Sequence, residues 1–217
     1  DRLLTTTIPI IVVCSVLILV GIKSEGKRRS KCFTSTSAIL YLTLPTVTTT
    51  VFQAFSCDEL DDDRSLLRAD YSIDCNDDAR NFWLSYGTAM VMIFPIGVTA
   101  AYSCLLYKNR DKIKQDLEIR EKDEELMSLS FLFDPYKPEY WYFEIIETIR
   151  RLLMTGVLSV IEPGSYPQLS YGLSLSIFFT ILFSLLKPYH SRKDNWIAIL
   201  SSAQQIPIFL ASSFMKY

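Results

Sequence analysis

Charged residues in an apolar setting carry most of the chemistry this chain offers. In YFEIIETIRRLLMTG, residues 142–156, Glu144, Glu147, Arg150 and Arg151 stand just ahead of an uncharged run. Glu147 precedes Arg150 by three residues and Arg151 by four, so on a helix both guanidinium groups reach one carboxylate. Ionisable groups at membrane depth are costly and normally face a protein interior or a wet cavity. Two readings fit: an ion-pair network that locks this segment to a neighbour, or a coupling element that moves as the protein changes state. A voltage sensor needs basic residues repeated along a span, and two adjacent arginines do not supply that.

A second group lies in CDELDDDRSLLRADYSIDC, residues 57–75. Cys57 and Cys75 flank it, and a disulfide between them is expected if the loop faces an oxidising compartment. On the chain-entropy argument such a bridge contributes roughly 3 kcal/mol. Asp61, Asp62, Asp63, Asp70 and Asp74 invite a calcium reading, but the central Gly and closing Glu of an EF-hand loop are missing, so no metal is expected. Either they form a solvated acidic face, or they form a vestibule that concentrates cations. Cys14 and Cys104 read as small apolar residues, and Cys32 as an inert thiol or an acylation site.

A third group is polar but uncharged. Thr46 and Thr49 follow Pro45, and Gln204 and Gln205 precede Pro207, all within apolar stretches. Hydroxyl and amide groups in a bilayer face other helices or a pathway. Tight helix packing and a lined permeation path are the two readings.

The elements that must hold these residues are long apolar segments. Hydrophobic residues make up 49% of the chain and charged ones 21%, values a soluble domain can match, so segregation decides the class. The charges gather in blocks separated by runs of the roughly 20 residues a helix needs to cross a bilayer. The fold expected is all-α: a single polytopic transmembrane bundle with spans at about 3–22, 35–55, 82–107, 142–161, 169–186 and 196–215. Trp83, Tyr107, Trp141, Tyr142, Tyr189 and Trp196 sit near span ends as interfacial anchors do. Lys23, Lys27, Arg28, Arg29 and Lys31 place loop 23–34 in the cytosol by the positive-inside rule. Loop 56–81, with its excess of acids, is then extracellular or lumenal, 108–141 is cytosolic, and both termini lie outside. The run 108–126 reads as a charged helical continuation of the third span, with Glu118 and Lys122 paired, and as a place for a cytosolic partner. The aromatic stretch 128–143, broken by Pro135 and Pro138, reads as an interfacial elbow into the fourth span. The chain opens at Asp1 and stops soon after an apolar run, so it is expected to be a piece of a longer protein.

Enzyme chemistry is not expected. The single histidine, His190, has no ligand partner nearby, and there is no phosphate loop, dinucleotide fingerprint or nucleophile elbow. No cofactor is implied. Basic residues are not interleaved with aromatics, so nucleic acid is not a partner. The lipid bilayer is one, cations are a second, and oligomers are compatible with the pattern.

The order of pieces carries a family resemblance. A CD…LRADYSIDC loop is followed by a span with FPIG (Phe94–Gly97), a charged helix, and an aromatic elbow into WYFEIIETIRRLLMTGVL (Trp141–Leu158). Then come Gln168, KPY (Lys187–Tyr189), DNW (Asp194–Trp196) and Gln204 in the last span. Over about residues 35–215 this resembles the large protist and algal membrane proteins described as TRP-like or polycystin-like, with EGF-like, cysteine-rich repeats ahead of a C-terminal membrane region. The resemblance implies a cation-channel-like function. The connection KPYHSRKDN between the last two spans, cytosolic in this topology, does not supply the filter loop of a TRP channel. The other reading is a receptor or adhesion-type anchor that holds or transmits for an extracellular region without conducting ions. A secondary transporter would show internal repeats, and none is evident.

Overall fold

A computed structural model describes residues 2–23, 27–60, 64–77, 79–115, 123–127, 129–161 and 165–215. Its long helices run back and forth. They are α1 (Arg2–Ile22), α2 (Lys27–Gln53), α3 (residues 79–113), α4 (residues 143–160), α5 (Tyr166–Leu186) and α6 (Arg192–Met215). Among the described residues, α3, α5 and α6 are long and apolar enough to cross a membrane, and α1 holds a shorter apolar stretch, Leu4–Val20. Threonines dilute α2, and charges crowd the first turns of α4. Large apolar side chains such as Leu42, Ile93, Leu185, Leu200 and Phe214 point outward. An apolar exterior this extensive is that of a bundle bathed in lipid rather than water.

Two helices change pitch midway. In α3 the segment Met92–Val98 is π-helical around Pro95, where a wider turn accommodates a ring that would otherwise strike the preceding turn. In α4 the π segment is Leu153–Val157. There α2 and α4 approach closely: a Cβ on Gly156 would lie 2.8 Å from both Thr48 Cγ2 and Phe52 Cδ2. The Tyr102 hydroxyl donates to Ser37 O at 2.7 Å and ties α3 to α2. Thr7 Oγ1 and Tyr86 Oη, 2.6 Å apart, tie α1 to α3.

The all-α expectation misses one element. After α2 the chain forms a small antiparallel sheet, β1 (Cys57–Glu59), β2 (Ser65–Leu67) and β3 (Asp70–Asp74), in that order. Cys57 stands opposite Leu67, and a bulge between Leu66 and Leu67 shifts the register against β3. A disulfide joins Cys57 to Cys75. This sheet marks one end of the bundle, here the sheet end.

The opposite end is built from the segment between α3 and α4. The helix expected to run on to Leu126 ends at Ile113, and a separate short helix follows at Glu124–Met127. Residues 116–122, with the expected Glu118–Lys122 pair, lie outside the described residues. Burial explains the reversal: Leu126, Leu129, Leu132 and Phe133 fold back onto Tyr102, Leu106 and Ile113. Lys112 Nζ meets Asp123 Oδ2 at 2.6 Å across the fold. The elbow, Ser130–Phe133 and then a 3₁₀ turn at Pro138–Tyr140, therefore turns its aromatics into protein, with Tyr136 buried on Phe143 and Phe183. That end is the elbow end.

Candidate functional site: a buried charge network at the elbow end

Pro138 opens the 3₁₀ turn that aims the chain into α4, whose first turn carries Glu144. An acid there suits the positive end of the helix dipole. One turn on, Glu147 receives a two-pronged grip from Arg150, Nη2 to Oε1 at 2.6 Å and Nε to Oε2 at 2.8 Å. Arg151 Nε adds a third bond to Oε1 at 3.1 Å. Glu144 meets a different set. Its Oε1 accepts from the Tyr41 hydroxyl of α2 at 2.5 Å, and its Oε2 from the Tyr136 hydroxyl of the elbow at 2.7 Å. The Arg151 guanidinium lies 4.9 Å from the centre of the Tyr41 ring, closing the network. That of Arg150 lies 5.9 Å from the ring of Phe183 on α5.

Glu144 and Glu147 are 5% and 6% exposed, so both carboxylates have left water. Buried charges survive only when paired and hydrogen-bonded. Two acids and two bases, with both tyrosine hydroxyls aimed at the less directly paired acid, meet that demand. The network joins α2, α4, α5 and the elbow at one point. The neighbouring crevice between α3 and α4, lined by Thr99, Tyr102, Leu106, Glu144 and Thr148 among others, is too narrow for water.

The α5–α6 connection is fastened to the same point. Lys187 ends α5 in the left-handed region at φ 45°. Lys137 N donates to Pro188 O at 2.9 Å and His190 N to Pro135 O at 3.2 Å. The Tyr136 and Tyr189 rings sit 5.0 Å apart. Burial, with the Glu144 charge and hydrogen bond behind it, pushes the Tyr136 hydroxyl far above the usual tyrosine range. Burial also raises that of Tyr189. Asn195 closes the turn, accepting from Tyr189 N at 3.1 Å and donating to Tyr189 O at 2.9 Å. The KPY and DNW pieces are thus the two halves of one staple.

Two acidic residues of the sheet end, Asp70 and Asp74, accept local hydrogen bonds. Asp70 Oδ1 accepts from Ser72 N and Ser72 Oγ, and Asp74 Oδ1 from Asn76 N. Asp61, Asp62 and Asp63 lie outside the described residues. Among the described residues, no three His, Cys, Asp or Glu side chains gather as a metal site. A residue that sequence reasoning passed over matters more. Arg68 grips Asp58 Oδ1 with Nε at 2.9 Å and Nη2 at 2.6 Å, and gives Nη1 to Ser159 O at the end of α4 at 2.8 Å. The Arg68 hydrogen bond holds the Asp58 carboxyl below its usual range. The Asp58 contact raises the Tyr71 hydroxyl, which donates to Asp58 Oδ2 at 2.8 Å.

The uncharged polar residues are spread out. Thr46 is exposed on α2, while Thr49 Oγ1 bonds back to Pro45 O at 3.0 Å. Gln205 Oε1 lies 3.4 Å from Ser176 Oγ of α5, and Gln204 is exposed where α6 breaks between Ala203 and Gln205. The α6 helix packs on α5 and has no extended contact with α2, so the threonines and glutamines do not share one surface.

No curated protein and no solved structure matches this chain. The family model described as Transient receptor potential (TRP) ion channel matches residues 36–216, which run from within α2 through the sheet, the elbow and the charge network to the end of α6. Matched over most of its length by that model, and built on helices of membrane-spanning length, this integral membrane protein belongs to the TRP ion channel family.

Proposed function

We propose that the chain is the membrane domain of a cation-conducting channel that crosses the bilayer through all of α1–α6, a single domain with the sheet end extracellular or lumenal and the elbow end cytosolic. The family supports a channel, and the basic and acidic loops support the orientation. The α5–α6 connection is too short and too firmly held to re-enter the membrane as a filter. Ion selection then falls to side chains on the helices, with the acids of the sheet end gathering cations ahead of them.

The observation that carries the pathway is the outward face of α6. Ser201 and Gln204 lie three residues apart on it, both exposed and without a side-chain partner among the described residues. A bare amide against lipid tails costs several kcal/mol. Water in a path formed between copies of this chain relieves that cost, and Thr46 on α2 is a second polar group so placed. The network of Glu144, Glu147, Arg150 and Arg151 couples the elbow to α4 as the path opens.

The test is current through planar bilayers holding the full-length protein. Cation-selective current is expected, with unit conductance lowered several-fold by Gln204→Leu. A flat recording from folded protein would overturn the channel and leave the membrane anchor as the reading.

A further inference from the structure

The last carbonyls of a helix have no partner within it and carry the negative end of its dipole. At the end of α4, three separate elements supply those partners. Gln168 Nε2 of α5 donates to Leu158 O at 2.9 Å, and Ser56 Oγ, after α2, donates to Val160 O at 3.3 Å. Arg68 donates to Ser159 O at 2.8 Å and is the charged member of the set. Its position is fixed twice over. Its side chain, 11% exposed, is held by Asp58, the neighbour of disulfide-bonded Cys57. Its backbone N–H donates to Ser56 O at 2.9 Å in the turn between β2 and β3.

The opposite end of α4 is fixed as well, through Tyr41, Tyr136 and the Glu147 ion pairs. Between the two clamps lies the π segment Leu153–Val157. A π turn holds one residue more than an α turn. Converting it to α would rotate the two halves of the helix against each other by about 100° and shift them by about 1.5 Å. The Arg68–Ser159 bond cannot survive that rotation.

We propose that Arg68 is the coupling residue by which the disulfide-held sheet sets the rotation of α4 and thereby the placing of the charge network at its far end. The sheet acts as a handle, and Arg68 is the charged link by which its movement reaches α4. The assignment stands whether or not ions pass.

Hydrogen exchange on the full-length protein in lipid nanodiscs tests it. Arg68→Ala is expected to raise amide exchange across residues 153–160 at least tenfold, with a smaller rise over 144–151. Arg68→Lys, which keeps the charge but reaches one partner, is expected to fall between and serves if the alanine variant does not fold. Tyr71→Phe loosens Asp58 from the other side without touching α4, and is expected to leave 153–160 unchanged. The proposal is overturned if the Arg68 variants loosen only the sheet, residues 57–75, or if Tyr71→Phe reproduces their effect on α4.

Discussion

Glu147 serves two guanidinium groups from inside the protein, and its removal leaves both without their carboxylate. Breaking a buried ion pair from one side typically costs about 3–5 kcal/mol. Glu147→Ala is expected to fall in that range in reversible unfolding in detergent. Arg151→Ala is expected to cost less, because that side chain is 35% exposed and water replaces part of what it loses. Asp58 gives a pH dependence. Its folded carboxyl titrates below the ordinary aspartate value of about 3.9, because the Arg68 hydrogen bond favours the charged form. The stability it adds is complete above that ordinary value and is lost as pH falls through the lower folded one. Thermal unfolding followed across acid pH is expected to show that limb, and Asp58→Asn to flatten it. At this scale the sequence is readable where partners are close. The Glu147 pairs follow from spacing alone, whereas Tyr41 lies 103 residues from Glu144 and Arg68 lies 91 from Ser159. No local pattern names such partners.

The helices α3, α5 and α6 announce themselves through long apolar runs, and α1 through a shorter one. Changes of pitch do not, since a π segment moves one hydrogen bond without altering composition. Pro95 hints at the first, and nothing comparable marks Leu153–Val157. The sheet escaped notice because three-residue strands are too short to display alternation. The charged run after α3 looked like continuous helix because its charges mask Leu126 and Leu129, which fold back to be buried. Close approach of α2 and α4 at Gly156 sets a further expectation. Gly156→Ala drives a methyl group into Thr48 and Phe52, an overpacking that costs about 1–3 kcal/mol. Gly87→Ala is the comparison, its added Cβ 3.3 Å from Ala54 Cβ, and is expected to be milder. Melting temperatures of the two variants in one lipid check the order.

For the whole molecule, topology is the property most open to direct test. With Cys14, Cys32 and Cys104 replaced by Ser, a cysteine at Tyr71 is expected to react with a membrane-impermeant maleimide only from the extracellular or lumenal side of the membrane. A cysteine at His190 is expected to react only from the cytosolic side. Labelling of both from the same side would refute alternation of the helices. The charge network also bears on how the protein is made. A charged side chain at the centre of an isolated span costs about 2.5–3.5 kcal/mol during insertion, and α4 carries four, from Glu144 in its first turn to Arg150 and Arg151 near its middle. Alone in the bilayer it is a poor guest. The partners of its acids and bases lie on α2, the elbow and α5, two made before it and one after. On the six-span topology proposed above, α4 is therefore expected to settle in the bilayer only once α5 has emerged, so that it leaves the ribosome in sequence but joins the membrane as part of a group.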